Sequence, residues 1–290
     1  MTDDRLIDSR AAQLRDRLRG QLIAATATPI GPDGFDAGVL AGYLGGLVGD
    51  GVGGLAVLAH TGRGPFQPDE VRDEVVRIAL RSGVPVIVGV NDVGQAERAA
   101  ALGAHGLLVF PPDAAEAVAV HQALWEATGV PLLAFDLYLR PYPLPVLSDL
   151  VRLPGVAGMK VALLRDDAAC KDAIAATVAA DRLAITGEDL MFVPSVGWGA
   201  QAALVGIAAA AVPATAQVLQ AALAGAAGDT TRFDRYAETI FGDPVDGYVQ
   251  RMLWVAAAEG RIPPEYAVDP HGPALPDDEH ERVLEVVRAL

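Results

Sequence analysis

The run GVAGMKVALL, residues 155–164, sets one lysine, Lys160, inside an otherwise apolar stretch. Of the 22 Lys+Arg in the chain, only Lys160 and Lys171 are lysines, so arginine carries nearly every other positive charge. Low-dielectric surroundings disfavour an ammonium and lower its pKa. The neutral amine is a nucleophile that forms a Schiff base with a ketone. Once protonated, the imine withdraws electrons, so that a neighbouring C–C or C–O bond can break. Arginine does not deprotonate in proteins and cannot do this chemistry. The competing reading is a lysine that snorkels to solvent or pairs with an acid.

Other candidates follow apolar runs in the same way. LAHTGRG carries His60, Thr61, Gly62 and Arg63. Here the glycines admit a ligand to the backbone N–H groups, Thr61 offers a hydroxyl, and His60 is an acid/base candidate; a Gly-rich connecting loop is the plainer reading. FDLYLRPYP carries Phe135 and Arg140, and the guanidinium fork of Arg140 suits a substrate carboxylate or is simply a surface charge. ITGEDL carries Glu188 and Asp189, which suit the hydroxyls of a polar substrate or the start of a helix. The remaining histidines, His105, His121, His271 and His280, have no metal-ligand spacing.

Positioning these residues falls to an alternation of short apolar runs and helical segments. Strands are predicted at Leu22–Thr26, Gly54–Leu58, Pro85–Val90, Gly106–Phe110, Pro131–Phe135, Val156–Val161, Arg182–Thr186 and Ala202–Gly206. Unbroken apolar runs of this length suit parallel strands buried on both faces. Helical spacing occupies 36–49, 68–82, 94–103, 114–128, 166–180 and 189–198, the third starting after Asn91 or Asp92. Eight such units predict a (β/α)8 barrel, with a doubly wound sheet as the alternative. An amphipathic helix at 3–19 precedes it, and helices at about 213–225, 229–241, 245–260 and 277–290 extend it. The expected organisation is one domain over 1–290, with the barrel at about 20–225 and C-terminal helices at about 226–290. In such barrels active sites lie at the C-terminal ends of the strands, where Lys160, His60, Thr61, Arg140 and Glu188 would share one mouth.

Composition bounds the partners. The chain has 290 residues, 52% hydrophobic, enough for a substantial core. A net charge of −15 argues against nucleic-acid binding. The single cysteine, Cys170, excludes an intramolecular disulfide and a Cys-rich zinc site. The charged N-terminus lacks a signal-peptide core, and no apolar run reaches the ~18–20 residues of a membrane span. A cytoplasmic protein is expected.

Together these pieces resemble the dihydrodipicolinate synthase/N-acetylneuraminate lyase family of Schiff-base barrels. TPIGPDGFD, GDGVGGLAVLAHTGRGPFQPDE, GLLVFPP, VPLLAFDLYLR, GVAGMKVA and ITGEDLMFVPSVGWGAQAAL fall in the family's order, from about residue 20 onward. The resemblance implies that Lys160 forms an imine with a 2-oxo acid such as pyruvate. It implies that Thr61, helped by backbone N–H groups, holds the oxo-acid carboxylate, and that Arg140 binds a second carboxylate. It also implies a homo-oligomer, tetramer or dimer, and neither a metal nor a cofactor. The departures are specific. Phe135 stands where the family has its proton-relaying tyrosine, His60 replaces the first threonine of the loop, and Arg63 replaces its glutamate. Pro112-Asp113 replaces an aromatic pair, and Val205, a substrate-binding candidate together with Phe135, Gly62 and Glu188, falls on the family's serine after the eighth strand. A Schiff-base lyase, aldolase or dehydratase, other than the lysine-pathway synthase is therefore expected, with His60, Tyr138 or water replacing the relay. The alternatives are a degenerate relative that binds an oxo acid in a non-enzymatic or regulatory role, and an enzyme using His60 and Arg63 without an imine.

Overall fold

The computed structural model describes residues 6–164 and 166–290; residues 3–5 of the predicted N-terminal helix lie outside them. Eight parallel strands close a barrel in which each strand lies between its sequence neighbours. They are β1 (Leu22–Ala25), β2 (Gly54–Val57), β3 (Val86–Val90), β4 (Gly106–Val109), β5 (Leu132–Leu137), β6 (Val156–Ala162), β7 (Leu183–Thr186) and β8 (Ala202–Val205), and every residue in them is buried. The fold is thus a (β/α)8 barrel with an N-terminal helix and C-terminal helices, and the predicted strands match within a residue or two at either end. A small antiparallel ladder pairs Ile30–Gly31 with Gly34–Phe35 beyond β1.

Twelve α-helices lie among the described residues. α1 (Ser9–Leu18) buries Ala11, Leu14 and Leu18, which join the cluster inside the barrel and close its N-terminal end. α2 (Ala37–Gly49), α3 (Asp69–Leu80), α4 (Val93–Leu102), α5 (Ala117–Thr128), α6 (Leu144–Leu150), α7 (Asp167–Ala179), α8 (Phe192–Gly197) and α9 (Val212–Leu223) alternate with the strands. Asp92 caps α4 by accepting from the Gln95 N–H at 2.8 Å, one of the two caps expected. The seven-residue α6 is absent from the helices read from spacing, since two turns are too short for a 3.6-residue period to declare itself.

α10 (Thr231–Ile240), α11 (Tyr248–Ala258) and α12 (Glu279–Arg288) complete the chain. The buried Arg251 joins them, donating to Glu279 Oε1 at 2.7 Å and to the Ile240 and Gly242 carbonyls, each at 2.9 Å.

The register of β6 decides which way Lys160 points. Leu132 pairs with Val156, but Leu133 pairs with Gly158, so β6 carries one extra residue, Ala157. From there Phe135 pairs with Lys160. Paired residues of neighbouring strands share a face, and a one-residue slip moves every side chain to the other side. Without the irregularity Met159 would stand beside Phe135. With it Met159 packs in the outer layer, and Lys160 joins Phe135 on the inner face.

Candidate active site at the barrel mouth

Lys160 lies near the C-terminal end of β6 and is only 6% exposed. Its Nζ sits 4.3 Å from the centroid of the Phe135 ring, and Phe110 extends that aromatic wall, 6.1 Å from Phe135 between centroids. Gly187 makes room on the other side, where a Cβ would come 2.5 Å from Lys160 Cε. Among the described residues no carboxylate lies within 4.0 Å of the amine. Burial pushes the amine down to about 8, partly opposed by the charges of Asp189 and, more weakly, Glu188. The ring face of Phe135 gives a cation some compensation, but no proton acceptor.

The two acids after β7 divide their roles. Glu188 turns to the β6–α7 connection, where Leu163 N–H donates to Oε1 and Leu164 N–H donates to Oε2 at 3.1 Å. Its oxygens are thus spent on backbone, and burial raises its pKa to about 7. Asp189 is the carboxyl that Lys160 senses most strongly. It accepts from Ile207 N–H at 2.8 Å beyond β8, and burial raises its pKa as well.

The loop after β2 is bound residue by residue to the C-terminal segment. His60 Nε2 lies 3.2 Å from Asp246 Oδ1. Thr61 Oγ1 lies 3.0 Å from Tyr248 OH. Arg63 donates to Asp246 Oδ1 at 2.9 Å and to Asp269 Oδ2 at 2.6 Å. Arg63 holds φ +50°, a left-handed conformation uncommon for a side-chain-bearing residue, and the two carboxylates fix it there. Gly62 fits because a Cβ would meet Leu58 N and Thr26 O at 3.0 Å. With its guanidinium fully engaged, Arg63 is not the free group that an imine-independent mechanism would use.

Two expected ligand-binding positions sit elsewhere. Arg140 lies on the exposed rim, its Nη1 3.1 Å from Asp113 Oδ1, so a second carboxylate would have to displace Asp113. Val205 packs with Ala24, Val57 and Ala203 on the outer face of the strands, while Ala202 and Leu204 face the interior. Strand alternation therefore removes Val205 from the mouth. Gly206 follows it, and a Cβ there would approach the Tyr248 ring to 2.9 Å. The sequence reading missed Asp246, Tyr248 and Asp269. They lie some 180 to 210 residues beyond their partners, and nothing in the local DGY or VDP runs marks them.

These features define a (β/α)8 barrel with a lysine buried near the C-terminal end of its sixth strand and, among the described residues, without an ion-pair partner. No family model matches the chain. It is 31% identical to 4-hydroxy-tetrahydrodipicolinate synthase from Xanthomonas axonopodis pv. citri over 211 residues, 67% of this chain and 69% of the relative. The chain belongs to the dihydrodipicolinate synthase/N-acetylneuraminate lyase family. The synthases of Mycolicibacterium paratuberculosis and Acidothermus cellulolyticus are 31% and 33% identical over 49% and 43% of this chain. The match covers 53% and 45% of their sequences, so the chain spans about half the length of these curated relatives.

Solved structures share the fold at lower identity. Dihydrodipicolinate synthase of Acinetobacter baumannii, solved with pyruvate, superposes with a TM-score of 0.83 at 19% identity, covering 93% of this chain and 98% of that one. N-acetylneuraminate lyase of Fusobacterium nucleatum gives 0.78 at 17% identity, with 94% and 99% covered. Among the described residues no helix is long and apolar enough to cross a membrane.

Proposed function

We propose that this protein is a Schiff-base-forming lyase, an aldolase or dehydratase, acting on a 2-oxo acid such as pyruvate or a sugar-derived oxo acid. The observation that carries the reading is Lys160: a buried amine with its pKa lowered and no ion-pair partner among the described residues, at the strand end where barrel chemistry occurs. Its neutral form attacks the ketone carbon. The carbonyl oxygen takes up protons and leaves as water, and the iminium becomes the electron sink for cleavage beside it. Thr61 would hold the substrate carboxylate. His60, oriented by Asp246, is the acid/base group proposed in place of the missing tyrosine.

One observation favours a second reading, a relative that binds the oxo acid without turning it over. Phe135 cannot pass a proton, and general acid–base help is commonly worth ~10²–10⁴-fold. Borohydride reduction with a panel of oxo acids separates the two. A lyase yields a reduced adduct on Lys160, whereas a binder is stabilised by oxo acids even as Lys160→Arg. The same reading carries a homo-oligomer in the cytoplasm, with no metal or organic cofactor.

A further inference from the structure

We infer that Tyr248 is a positioning residue that orients Thr61 as a hydrogen-bond donor to the carboxylate of the bound acid. The inference rests on the oxo-acid reading of the mouth and assigns a site function to the first residue of α11. Tyr248 is buried, its ring stacked on Phe241 with centroids 4.6 Å apart and planes 15° apart. The ring also rests against Gly206, just past the end of β8. One residue further, the Ile207 N–H holds Asp189, the acid whose charge acts most strongly on Lys160. Tyr248 thus packs on the same backbone after β8 that fixes Asp189.

Its only hydrogen-bond partner among the described residues is Thr61 Oγ1, at 3.0 Å. A buried hydroxyl hydrogen without an acceptor is costly. Burial also pushes the phenol well above its ordinary range, so it keeps its proton. Either oxygen can donate across this bond; a bound anion selects the arrangement in which Tyr248 donates and Thr61 accepts. Thr61 carries a single hydrogen, which is then directed away from Tyr248 and finds no acceptor among the described residues. A ligand supplying an anionic oxygen completes the arrangement.

Isothermal calorimetry with pyruvate and with lactate tests this, because lactate keeps the carboxylate and cannot form an imine. Tyr248→Phe keeps the stacked ring and removes only the hydroxyl. It is expected to weaken both acids by about fivefold to tenfold, and Thr61→Val by about tenfold or more. The double variant should bind no worse than Thr61→Val alone, since the two hydroxyls act as one unit. Thr61→Ser, which restores the donor, should recover most of the loss, a rescue that a purely structural role for the threonine methyl would not give. Lactate binding with this pattern upholds the inference even if no adduct forms on Lys160, so the imine reading can fail separately. Wild-type affinity in Tyr248→Phe, additive losses in the double variant, or no binding of either acid by the wild-type protein would overturn it.

Discussion

At the scale of single residues, the proposed chemistry turns on an amine and the ring beside it. An ordinary lysine is almost wholly protonated at pH 7. With a pKa of about 8, about one Lys160 amine in ten is neutral at that pH, by the ordinary titration relation. The sign follows from the nucleophile being the deprotonated form. The initial rate of borohydride-trapped adduct should rise about tenfold from pH 6 to pH 7 and level off above about pH 8; a rate still climbing steeply beyond pH 9 would mean an unperturbed amine. Phe135 is the other half. Its ring lies 4.3 Å from Nζ and supplies no proton. Phe135→Tyr should therefore raise the single-turnover rate of adduct formation by at least about tenfold, and an unchanged rate would place the relay elsewhere in the mouth.

At the scale of elements, the site depends on two devices. One is the extra residue in β6, which turns Lys160 inward beside Phe135. The other is the clamp between the loop after β2 and the segment 246–269, centred on Arg63. The side chains of Arg63 and Asp269 are 7% and 1% exposed, so removing one leaves a buried charge unpaired. Arg63→Met should lower unfolding free energy by about 3–5 kcal/mol in a denaturant titration, and a loss under about 1 kcal/mol would mean the clamp is solvated. These elements show what the sequence could and could not reveal. The strands were legible because runs such as VPVIVGV and GLLV are continuously apolar, as strands buried on both faces must be. Lys160 and the HTGR loop were legible because they interrupt such runs at their C-terminal ends. The bulge was not, because Ala157 resembles its neighbours and register belongs to the pairing. Nor was the division between Glu188 and Asp189, since adjacent acids in a loop turn opposite ways for reasons of backbone geometry.

At the scale of the whole molecule, α1 packs into the N-terminal end of the barrel, opposite the strand ends that carry Lys160. Placing Asp246, Tyr248 and Asp269 against the β2 loop joins the chain's last third to its first. That closure is tertiary and left no local mark in the sequence. Family membership carries a proposal about assembly: sedimentation equilibrium should give a mass of two or four times the 30.0 kDa chain, and a monomer at micromolar concentration would remove the homo-oligomer from the account. The most direct test of the central claim is borohydride reduction with pyruvate and a panel of sugar-derived oxo acids, read by peptide mass spectrometry. The account predicts a reduced adduct confined to the peptide containing Lys160 and absent in Lys160→Met. A folded wild-type protein that gives no adduct with any acid, or labelling that persists in Lys160→Met, would contradict it.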